Sequence, residues 1–397
     1  MSRDLRLPFV IHGARKIDSD GVVDDFWLAV DHGVITSTGT GAGWHRLVAE
    51  PRDAAGAAAQ PEVVDAKNGI VTPGFIDLHS HGGGGYSYGD GPAALSKALS
   101  THRAHGTTRS VLSLVTGPLE ELVNELAAIA DLTETDPLVL GSHLEGPFLS
   151  PGRRGAHDPA FLRPPDVAVV TQLIAAARGT LRQMTIAPEL PNASESILAL
   201  ADAGVTVAIG HTEADYAAAS RAFHLGARLL THTFNAMAGI TGRAPGPVVA
   251  ALDHDEVILE LVLDGVHVDS HTARLLFTAA PGRIALITDA MAAAGSADGD
   301  YQLGALDVTV QDGRATLAGT QTLAGSTLTQ DEALRLAVTE VGVDPSLAVS
   351  ALTATPARLL GLEHSLARLV PGFAADIVFL DHGWHVQQVW ADGTRMT

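Results

Sequence analysis

The sequence lacks cysteine and has little positive charge. With no Cys among 397 residues, disulfides and thiolate metal sites are excluded. Lys and Arg total 25 against 45 Asp and Glu, which gives a formal net charge of -20 and a sequence pI of about 5.2. A chain this acidic repels nucleic acid and anionic membranes, so we expect neither as a main partner. An anionic substrate would need a local basic pocket.

Long apolar runs are also missing. No uninterrupted stretch is long enough to cross a bilayer. The charged residues 1–6 do not resemble the apolar core of a signal peptide, so we expect a cytoplasmic protein. The composition is 46% hydrophobic and 18% charged, which suffices for a large barrel-type domain and a smaller one.

The middle of the chain alternates short apolar runs with Ala- and Leu-rich stretches of helical periodicity, such as 119–132 and 194–203. Eight such strand-plus-helix units favour a closed parallel (β/α)8 TIM-like barrel. A doubly wound sheet is the alternative, but the glycines at 82–85 lack the spacing of a dinucleotide-binding loop. The predicted barrel strands are 75–78, 108–112, 138–141, 183–186, 206–209, 228–231, 258–262 and 284–288.

The sequence predicts β-structure at both ends of the chain. Apolar segments at 9–11, 26–30, 34–35, 63–66 and 69–71 precede the barrel, and alternating segments at 375–380 and 386–390 follow it. The simplest account is one small β-sandwich domain built from residues 1–72 and 364–397, beside a barrel formed by 73–363. Residues 54–61 are predicted to form a loop.

Several potential metal ligands occur at predicted strand ends. His79 and His81 have i, i+2 spacing, so they face the same side of the first strand. Glu145 follows the third strand, and His211 and His232 end two later strands. Because a barrel's active site lies at the carboxyl ends of its strands, these side chains are expected to meet there. Nitrogen and oxygen ligands that leave open positions suit a hydrolytic metal centre.

Asp289 ends the eighth predicted strand. A carboxylate at this position can take a proton from an attacking water and later return it to a leaving group. A helix N-cap is the alternative explanation for an Asp at a strand end. The sequence therefore predicts metal-assisted hydrolysis with Asp289 as the proton carrier.

Together these segments resemble the amidohydrolase superfamily and, within it, the N-acetylglucosamine-6-phosphate deacetylases. The matching segments extend through the whole predicted catalytic domain: 73–77, 143–148, 155–157, 210–212, 232–237, 241–243, 264–269, 288–291 and 323–326. The resemblance implies deacetylation of N-acetyl-D-glucosamine 6-phosphate to D-glucosamine 6-phosphate and acetate, in amino-sugar catabolism and cell-wall sugar recycling. It also implies a homodimer, with Arg243 and His267 reaching the neighbouring subunit's site.

The resemblance further implies a role for each site residue. Asp289 would be the general base and then the general acid. His157 and His267 would contact the sugar or the developing oxyanion. The substrate would be bound by Ala156, His157, Asn235, Ala236, Arg243, His267 and Leu323, with Arg243 and the backbone around Asn235 and Ala236 holding the 6-phosphate.

The number and identity of the metal ions remain open in the sequence. Glu145, His211 and His232 would hold a principal divalent ion. Because His79 and His81 are both present, a second ion bridged through Glu145 is expected, with one ion sufficient for activity. Zinc is the first expectation, and Fe, Mn and Co are compatible with the same ligands.

Two other functions are alternatives for such a chain. A hydantoinase- or dihydroorotase-like cyclic amidase typically bridges two metals with a carboxylated Lys, whereas no Lys occurs at 138–145. A non-catalytic barrel usually loses its ligands, whereas all of them and Asp289 are present. The glycine-rich stretch 82–91 is expected to form a lid over the site.

Overall fold

The computed structural model describes residues 8–49 and 61–396. Apart from its last residue, the loop predicted at 54–61 lies outside the described residues. Among the residues that are described, no helix combines the length and apolar character needed to span a bilayer.

Strands from both chain ends belong to one eight-stranded sheet, as the sequence predicted. Its central path is β21-β20-β19-β5-β1-β2-β3, and β4 pairs with β1. Phe9, Leu28, Ile35 and Trp390 are buried in its own apolar core. The domain boundaries at 72 and 364 stay a prediction. The strands are β1 (Phe9–Asp18), β2 (Gly21–Asp31), β3 (Val34–Thr40), β4 (Glu62–Asp65), β5 (Ile70–Pro73), β19 (Ile377–Leu380), β20 (Val386–Ala391) and β21 (Thr394–Arg395).

Eight parallel strands form the predicted barrel, each hydrogen-bonded to the next in chain order. The barrel is closed at its carboxyl end, where the Asp289 amide donates to the His79 carbonyl at 2.8 Å and the His81 amide to the Ala290 carbonyl at 2.7 Å. All eight predicted strands are confirmed. They are β6 (Phe75–Ser80), β9 (Thr107–Val115), β10 (Val139–Glu145), β11 (Leu181–Ile186), β12 (Thr206–Ile209), β13 (Leu229–Leu230), β14 (Ile258–Val262) and β15 (Ile284–Ile287).

Helices connect the strands and cover the barrel. Helix α3 shows why they form: Leu122, Leu126, Ile129 and Ala130 recur on one buried face, and acidic residues occupy its first turn, where the helix dipole favours them. The helices are α1 (His45–Ala49), α2 (Pro92–Ala104), α3 (Leu119–Thr135), α4 (Val167–Ala176), α5 (Ala193–Asp202), α6 (Tyr216–His224), α7 (Gly246–Leu252), α8 (Ser270–Ala279), α9 (Gln330–Leu336), α10 (Pro345–Leu352) and α11 (Ala354–Leu359).

Two small antiparallel sheets at the carboxyl face of the barrel were not predicted. Strands β7 (Gly82–Gly83) and β8 (Tyr86–Ser87) pair within the stretch expected to be a lid. Strands β16 (Gly299–Leu303), β17 (Leu306–Gln311) and β18 (Arg314–Leu317) form a sheet after the eighth barrel strand. The turn between β17 and β18 is Asp312-Gly313, with φ of 51° and 72°, the positive-φ pair typical of tight hairpins.

Gly141 allows β10 to pass close to its neighbour. Its φ is 142°, and a Cβ there would lie 2.1 Å from the carbonyl oxygen of Thr180. We expect Gly141→Ala to lower the free energy of unfolding by roughly 2 kcal/mol or more, because both the backbone and the neighbouring strand must shift. Urea unfolding measures this. Gly242→Ala is the control, since nothing lies within 4 Å of its added Cβ. Equal stability of the Gly141 variant and the control would show that a Cβ at residue 141 is accommodated without strain.

Candidate metal centre and active site

The predicted metal ligands and Asp289 meet at the carboxyl end of the barrel. They come from the first, third, fifth, sixth and eighth barrel strands and the residues that follow them directly. All are at least nine-tenths buried. Two groups are close enough to hold an ion: His79 with His81 and Glu145, and Glu145 with His211 and His232.

Three of these residues have a left-handed backbone conformation. The φ angles are 47° at His211, 25° at His232 and 49° at Asp289. Non-glycine residues rarely adopt this region, at a cost of about 1–3 kcal/mol each. Each residue stands where the chain leaves a barrel strand and turns sharply. The strain therefore coincides with the points at which side chains are aimed at a common centre.

Glu145 divides the histidines into two pairs. Its Oε1 lies 2.9 Å from His211 Nε2 and 3.0 Å from His232 Nε2. Its Oε2 lies 3.2 Å from His81 Nε2 and 3.5 Å from His79 Nε2. Burial raises the pKa of Glu145, but the charge of His79 and then the hydrogen bond from His157 outweigh it and hold that pKa well below its usual range. The carboxylate thus presents one oxygen to each pair.

The contacts of His211 indicate that a cation belongs between these groups. Burial lowers the pKa of His211 to about 4, so the ring is neutral near pH 7. Its Nδ1 lies 2.9 Å from the carbonyl oxygen of Arg153, which can only accept, so Nδ1 carries the proton. Nε2 then turns a lone pair towards both Glu145 Oε1 and His232 Nε2, the latter at 2.9 Å. Lone pairs that converge in this way fit a shared divalent ion.

The second pair has a different electrostatic setting. Burial lowers the pKa of His79 and His81, but the carboxylates of Glu145 and Asp289 outweigh it and raise both above their usual value. Their Nε2 atoms are 3.1 Å apart. Two carboxylates therefore favour positive charge at this position, which a proton or a metal ion can supply.

Asp289 lies beside the second pair. Its Oδ1 is 3.3 Å from His81 Nε2 and 3.6 Å from His79 Nε2. Burial raises its pKa, but the charge of His79 and the hydrogen bond from His81 prevail and hold the pKa of Asp289 well below its usual range. The side chain is therefore ionised near neutral pH and free to accept a proton.

A cavity of about 330 Å³ opens onto the cluster. This is near the lower end of the ~300–1,000 Å³ typical of small-molecule sites. The predicted substrate residues that line it are Ala156, His157, Asn235, Ala236, His267 and Leu323. Arg243 is not among the lining residues and is exposed on the loop after β13. His267 lines the cavity of its own chain.

A larger cavity of about 750 Å³ adjoins the first and shares His81 and Leu303 with it. Among the described residues that line it there is no Lys or Arg, whereas there are five carboxylates: Asp90, Glu121, Glu125, Asp300 and Asp307. An anionic ligand is repelled there and favours the smaller cavity.

Two histidines present hydrogen-bond donors to the smaller cavity. The Thr116 amide donates to His157 Nδ1 at 3.3 Å, so in the neutral ring the proton is on Nε2, which lies 3.5 Å from Glu145 Oε2. His267 Nδ1 bonds to Asp264 at 2.7 Å. Burial lowers the pKa of His267, but this carboxylate outweighs it and raises that pKa, which leaves Nε2 as the donor to the cavity.

The loop after His232 is held by backbone hydrogen bonds, both within the loop and to Thr212. The Asn235 amide donates to the His232 carbonyl at 2.9 Å, and the Ala236 carbonyl accepts from the Thr212 amide at 3.1 Å. The backbone N–H of Asn235 therefore already donates a hydrogen bond within the loop. Phe234 and Ala236 have φ of 78° and 50°, so the chain turns tightly here.

The segment 82–91 is anchored in this structure. The amides of Gly84 and Gly85 each donate to alanine carbonyls at 2.7 Å. Buried Tyr88 bonds to Ser80 through its hydroxyl at 2.9 Å. Whether this segment moves as a lid over the site is not tested by a single conformation, so the lid stays a prediction.

Two residues near the centre escaped the sequence interpretation. Arg153 lines the cavity and is the only Lys or Arg among its described lining residues. It lies in a Pro-Gly-Arg-Arg turn whose sequence does not indicate a role in the site. Glu260 is a fully buried carboxylate in the middle of β14. A charge inside an otherwise apolar strand is a signal that could have revealed it.

Comparisons with known proteins agree with this geometry. Residues 70–396 match the model of the Amidohydrolase family. The chain is 37% identical over 392 residues to an N-acetylgalactosamine-6-phosphate deacetylase of Escherichia coli O157:H7, covering 97% of this chain and 98% of the relative. It is 35% identical over 347 residues to a human N-acetylglucosamine-6-phosphate deacetylase, covering 83% and 84%.

Solved structures show the same relationship. N-acetyl-D-glucosamine-6-phosphate deacetylase of Mycobacterium smegmatis, in complex with N-acetyl-D-glucosamine-6-phosphate, superimposes with a TM-score of 0.90 at 38% identity, over 98% of this chain and 100% of the other. The Pasteurella multocida N-acetylglucosamine-6-phosphate deacetylase gives 0.90 at 27% identity, over 98% and 99%. The fold, the ligand cluster and the matched residues together place this chain in the amidohydrolase family.

Proposed function

We propose that this protein hydrolyses the acetamide of N-acetyl-D-glucosamine 6-phosphate and releases acetate and D-glucosamine 6-phosphate. The observation that carries the proposal is the split of Glu145 between two histidine pairs, with ionised Asp289 beside one of them. The relatives named above act on N-acetylhexosamine 6-phosphates. The reaction belongs to amino-sugar catabolism, and cell-wall sugar recycling is a proposed source of the substrate.

Glu145, His211 and His232 would hold the principal divalent ion, and His79, His81 and Glu145 a second. Such an ion, when bound, supplies Lewis acidity at the carbonyl and lowers the pKa of water. We propose zinc, because nitrogen and carboxylate ligands in a site with open positions suit it. The same ligands accommodate Fe, Mn or Co.

Asp289 carries the proton in the proposed reaction. Its carboxylate takes a proton from the attacking water as the water oxygen bonds to the acetamide carbon. It then gives this proton to the sugar nitrogen as the C–N bond breaks, so the amine leaves and acetate remains. His157 and His267 donate hydrogen bonds through Nε2 to the developing oxyanion or to the sugar.

The phosphate needs a local cation in a chain of net charge -20. We propose Arg243, together with Asn235 and Ala236, because a guanidinium grips phosphate through two parallel hydrogen bonds. Arg243 is exposed and does not line the cavity of its own chain. This arrangement supports a homodimer in which Arg243 completes the neighbouring site. A doubly charged sugar phosphate does not cross membranes unaided, which supports a cytoplasmic location.

A second candidate substrate is N-acetyl-D-galactosamine 6-phosphate. The Escherichia coli relative, whose match covers 97% of this chain, is named for that epimer. Acetate release from both epimers, from unphosphorylated N-acetylglucosamine, and from hydantoin and dihydroorotate tests the proposal. The glucosamine phosphate is expected to give the largest kcat/KM. A larger value for the galactosamine phosphate would reassign the substrate, and release from none of the sugars would overturn the function.

The structure argues against the cyclic-amidase alternative. The lysines of the chain are Lys16, Lys67 and Lys97. They lie in β1, after β4 and in α2, so none stands at the carboxyl end of a barrel strand. A carboxylated Lys bridge is therefore not available, and Glu145 would take the bridging role instead.

The second ion is expected to assist the reaction rather than to be required. We expect His79→Ala/His81→Ala to retain one divalent ion per chain and measurable acetate release, because Glu145 Oε1 and its two histidines are untouched. Metal analysis and turnover of the same preparation measure both. Complete inactivity with the principal ion still bound would refute the one-ion expectation.

The roles of Arg243 and Arg153 can be separated kinetically. We expect Arg243→Ala to raise KM for the phosphorylated substrate by roughly 10-fold to 100-fold, since charge-assisted hydrogen bonds contribute about 1.5–3 kcal/mol. Arg153→Ala is the matched control inside the cavity wall. The unphosphorylated sugar should respond little to either change. A large increase in KM that is confined to Arg153→Ala would show that Arg153 of the same chain binds the phosphate. Arg243 would then no longer support a homodimer.

A further inference from the structure

Glu260 has no part in the site as described so far. It lies on the seventh barrel strand, β14, and its side chain is completely buried. A buried carboxylate is stable only with strong partners. Three donors surround it. Gln183 Nε2 donates to Oε1 at 2.9 Å, while Oε2 lies 3.2 Å from both His79 Nδ1 and the His232 amide nitrogen.

The contact with His79 fixes the orientation of that ring. Oε2 accepts from Nδ1, so Nδ1 carries a proton, and Nε2 is the atom that faces His81 Nε2 at 3.1 Å and Glu145 Oε2 at 3.5 Å, where an ion would replace any proton on it. A carboxylate bonded to the far nitrogen of a histidine also makes the near nitrogen a better ligand. Glu260 therefore orients His79 and strengthens it as a ligand.

The same oxygen also reaches the other half of the centre. It accepts the amide of His232, whose backbone is strained at φ 25°. One atom thus touches a side chain of the second ion site and the backbone of a principal ligand. No other described carboxylate has contacts with both of these residues from behind the cluster.

We propose that Glu260 is a positioning residue that sets His79 for a second divalent ion and ties the two ion sites together through His232. The inference rests on the proposed metal centre but not on the identity of the substrate. Removal of its charge should weaken the second site selectively.

Cobalt(II) titration of metal-free protein tests this, with bound ion measured by equilibrium dialysis and visible absorption. The Glu260→Gln substitution keeps the shape of the side chain at residue 260. Gln183 Oε1 has no hydrogen-bond partner in the described structure, so its amide can turn to accept from the new side chain. All three hydrogen bonds then persist and only the charge is lost. We expect roughly 10-fold or greater weakening of the second cobalt ion and less than about threefold change in the first.

Gln183→Met is the matched control, because it alters the support of Oε1 and leaves the contact of Oε2 with His79. It should leave both affinities within about threefold, even if the unfolding temperature falls. A purely structural Glu260 would instead lower the unfolding temperature without separating the two affinities.

The proposal is overturned if wild-type protein binds one cobalt ion only, if both sites weaken equally in Glu260→Gln, or if the second affinity is unchanged. Should Glu260→Gln not fold, Glu260→Asp decides, since it keeps the charge but withdraws the oxygen from His79. An unweakened second site in that variant also overturns the proposal. Because no substrate is used, these outcomes are independent of whether the enzyme deacetylates an amino sugar.

Discussion

Asp289→Asn is expected to reduce the turnover of N-acetyl-D-glucosamine 6-phosphate by roughly 10²–10⁴-fold, the range for loss of a general acid–base group. The amide is nearly isosteric but cannot accept the proton of the attacking water or return it to the amine. The low pKa of Asp289 means that the wild-type carboxylate is in its base form near neutral pH. KM should change little, because substrate contacts are otherwise retained. Steady-state acetate release measures both constants.

The control for Asp289→Asn is Asp253→Asn, the same exchange at an exposed residue that bonds to Tyr216. It should leave turnover unchanged. The backbone of residue 289 closes the barrel through its amide, and this bond does not depend on the side chain. Near-wild-type turnover of Asp289→Asn would therefore exclude the side chain as the proton carrier.

His211→Ala is expected to remove the principal ion and with it about 10³-fold or more of the turnover, since Lewis acidity supplies several kcal/mol at about 1.4 kcal/mol per factor of ten. The ring contacts both Glu145 Oε1 and His232 Nε2, so its loss opens one side of the principal site. Metal content and acetate release are measured on the same sample.

His224→Ala provides the comparison for His211→Ala. His224 is exposed at the end of α6, and its ring bonds to the backbone of Ser220. It should retain full metal content and activity. If His211→Ala loses the metal yet keeps wild-type turnover, the ion has no role in the reaction.

The barrel and its ligand positions could be predicted because they follow from local patterns. A strand buried on both faces is apolar throughout, and the polar residue that follows it marks the carboxyl end. Glu145, His211, His232 and Asp289 each follow such an apolar run, so the sequence alone predicts them at strand ends. The i, i+2 spacing of His79 and His81 likewise required only the geometry of an extended chain.

Other features depend on contacts between distant segments. Glu260 acts from the seventh strand on a histidine of the first, 181 positions away in sequence. Arg153 lies in the cavity wall, in a turn whose carbonyl accepts from His211, 58 positions away in sequence. The sheet of β16 to β18 has one local signal in the sequence, the Asp312-Gly313 turn between β17 and β18. The proposed phosphate role of Arg243 depends on a subunit arrangement that one chain does not contain.

The proposed function requires that the protein release acetate from N-acetyl-D-glucosamine 6-phosphate and that this release depend on a bound metal ion. The most direct measurement is acetate production by purified protein before chelation, after removal of metal, and after restoration of zinc or cobalt. Acetate release is expected to stop in the metal-free protein and to return on addition of one to two equivalents of ion per chain. Undiminished release from metal-free protein, or none from the fully loaded protein, would contradict the proposed function.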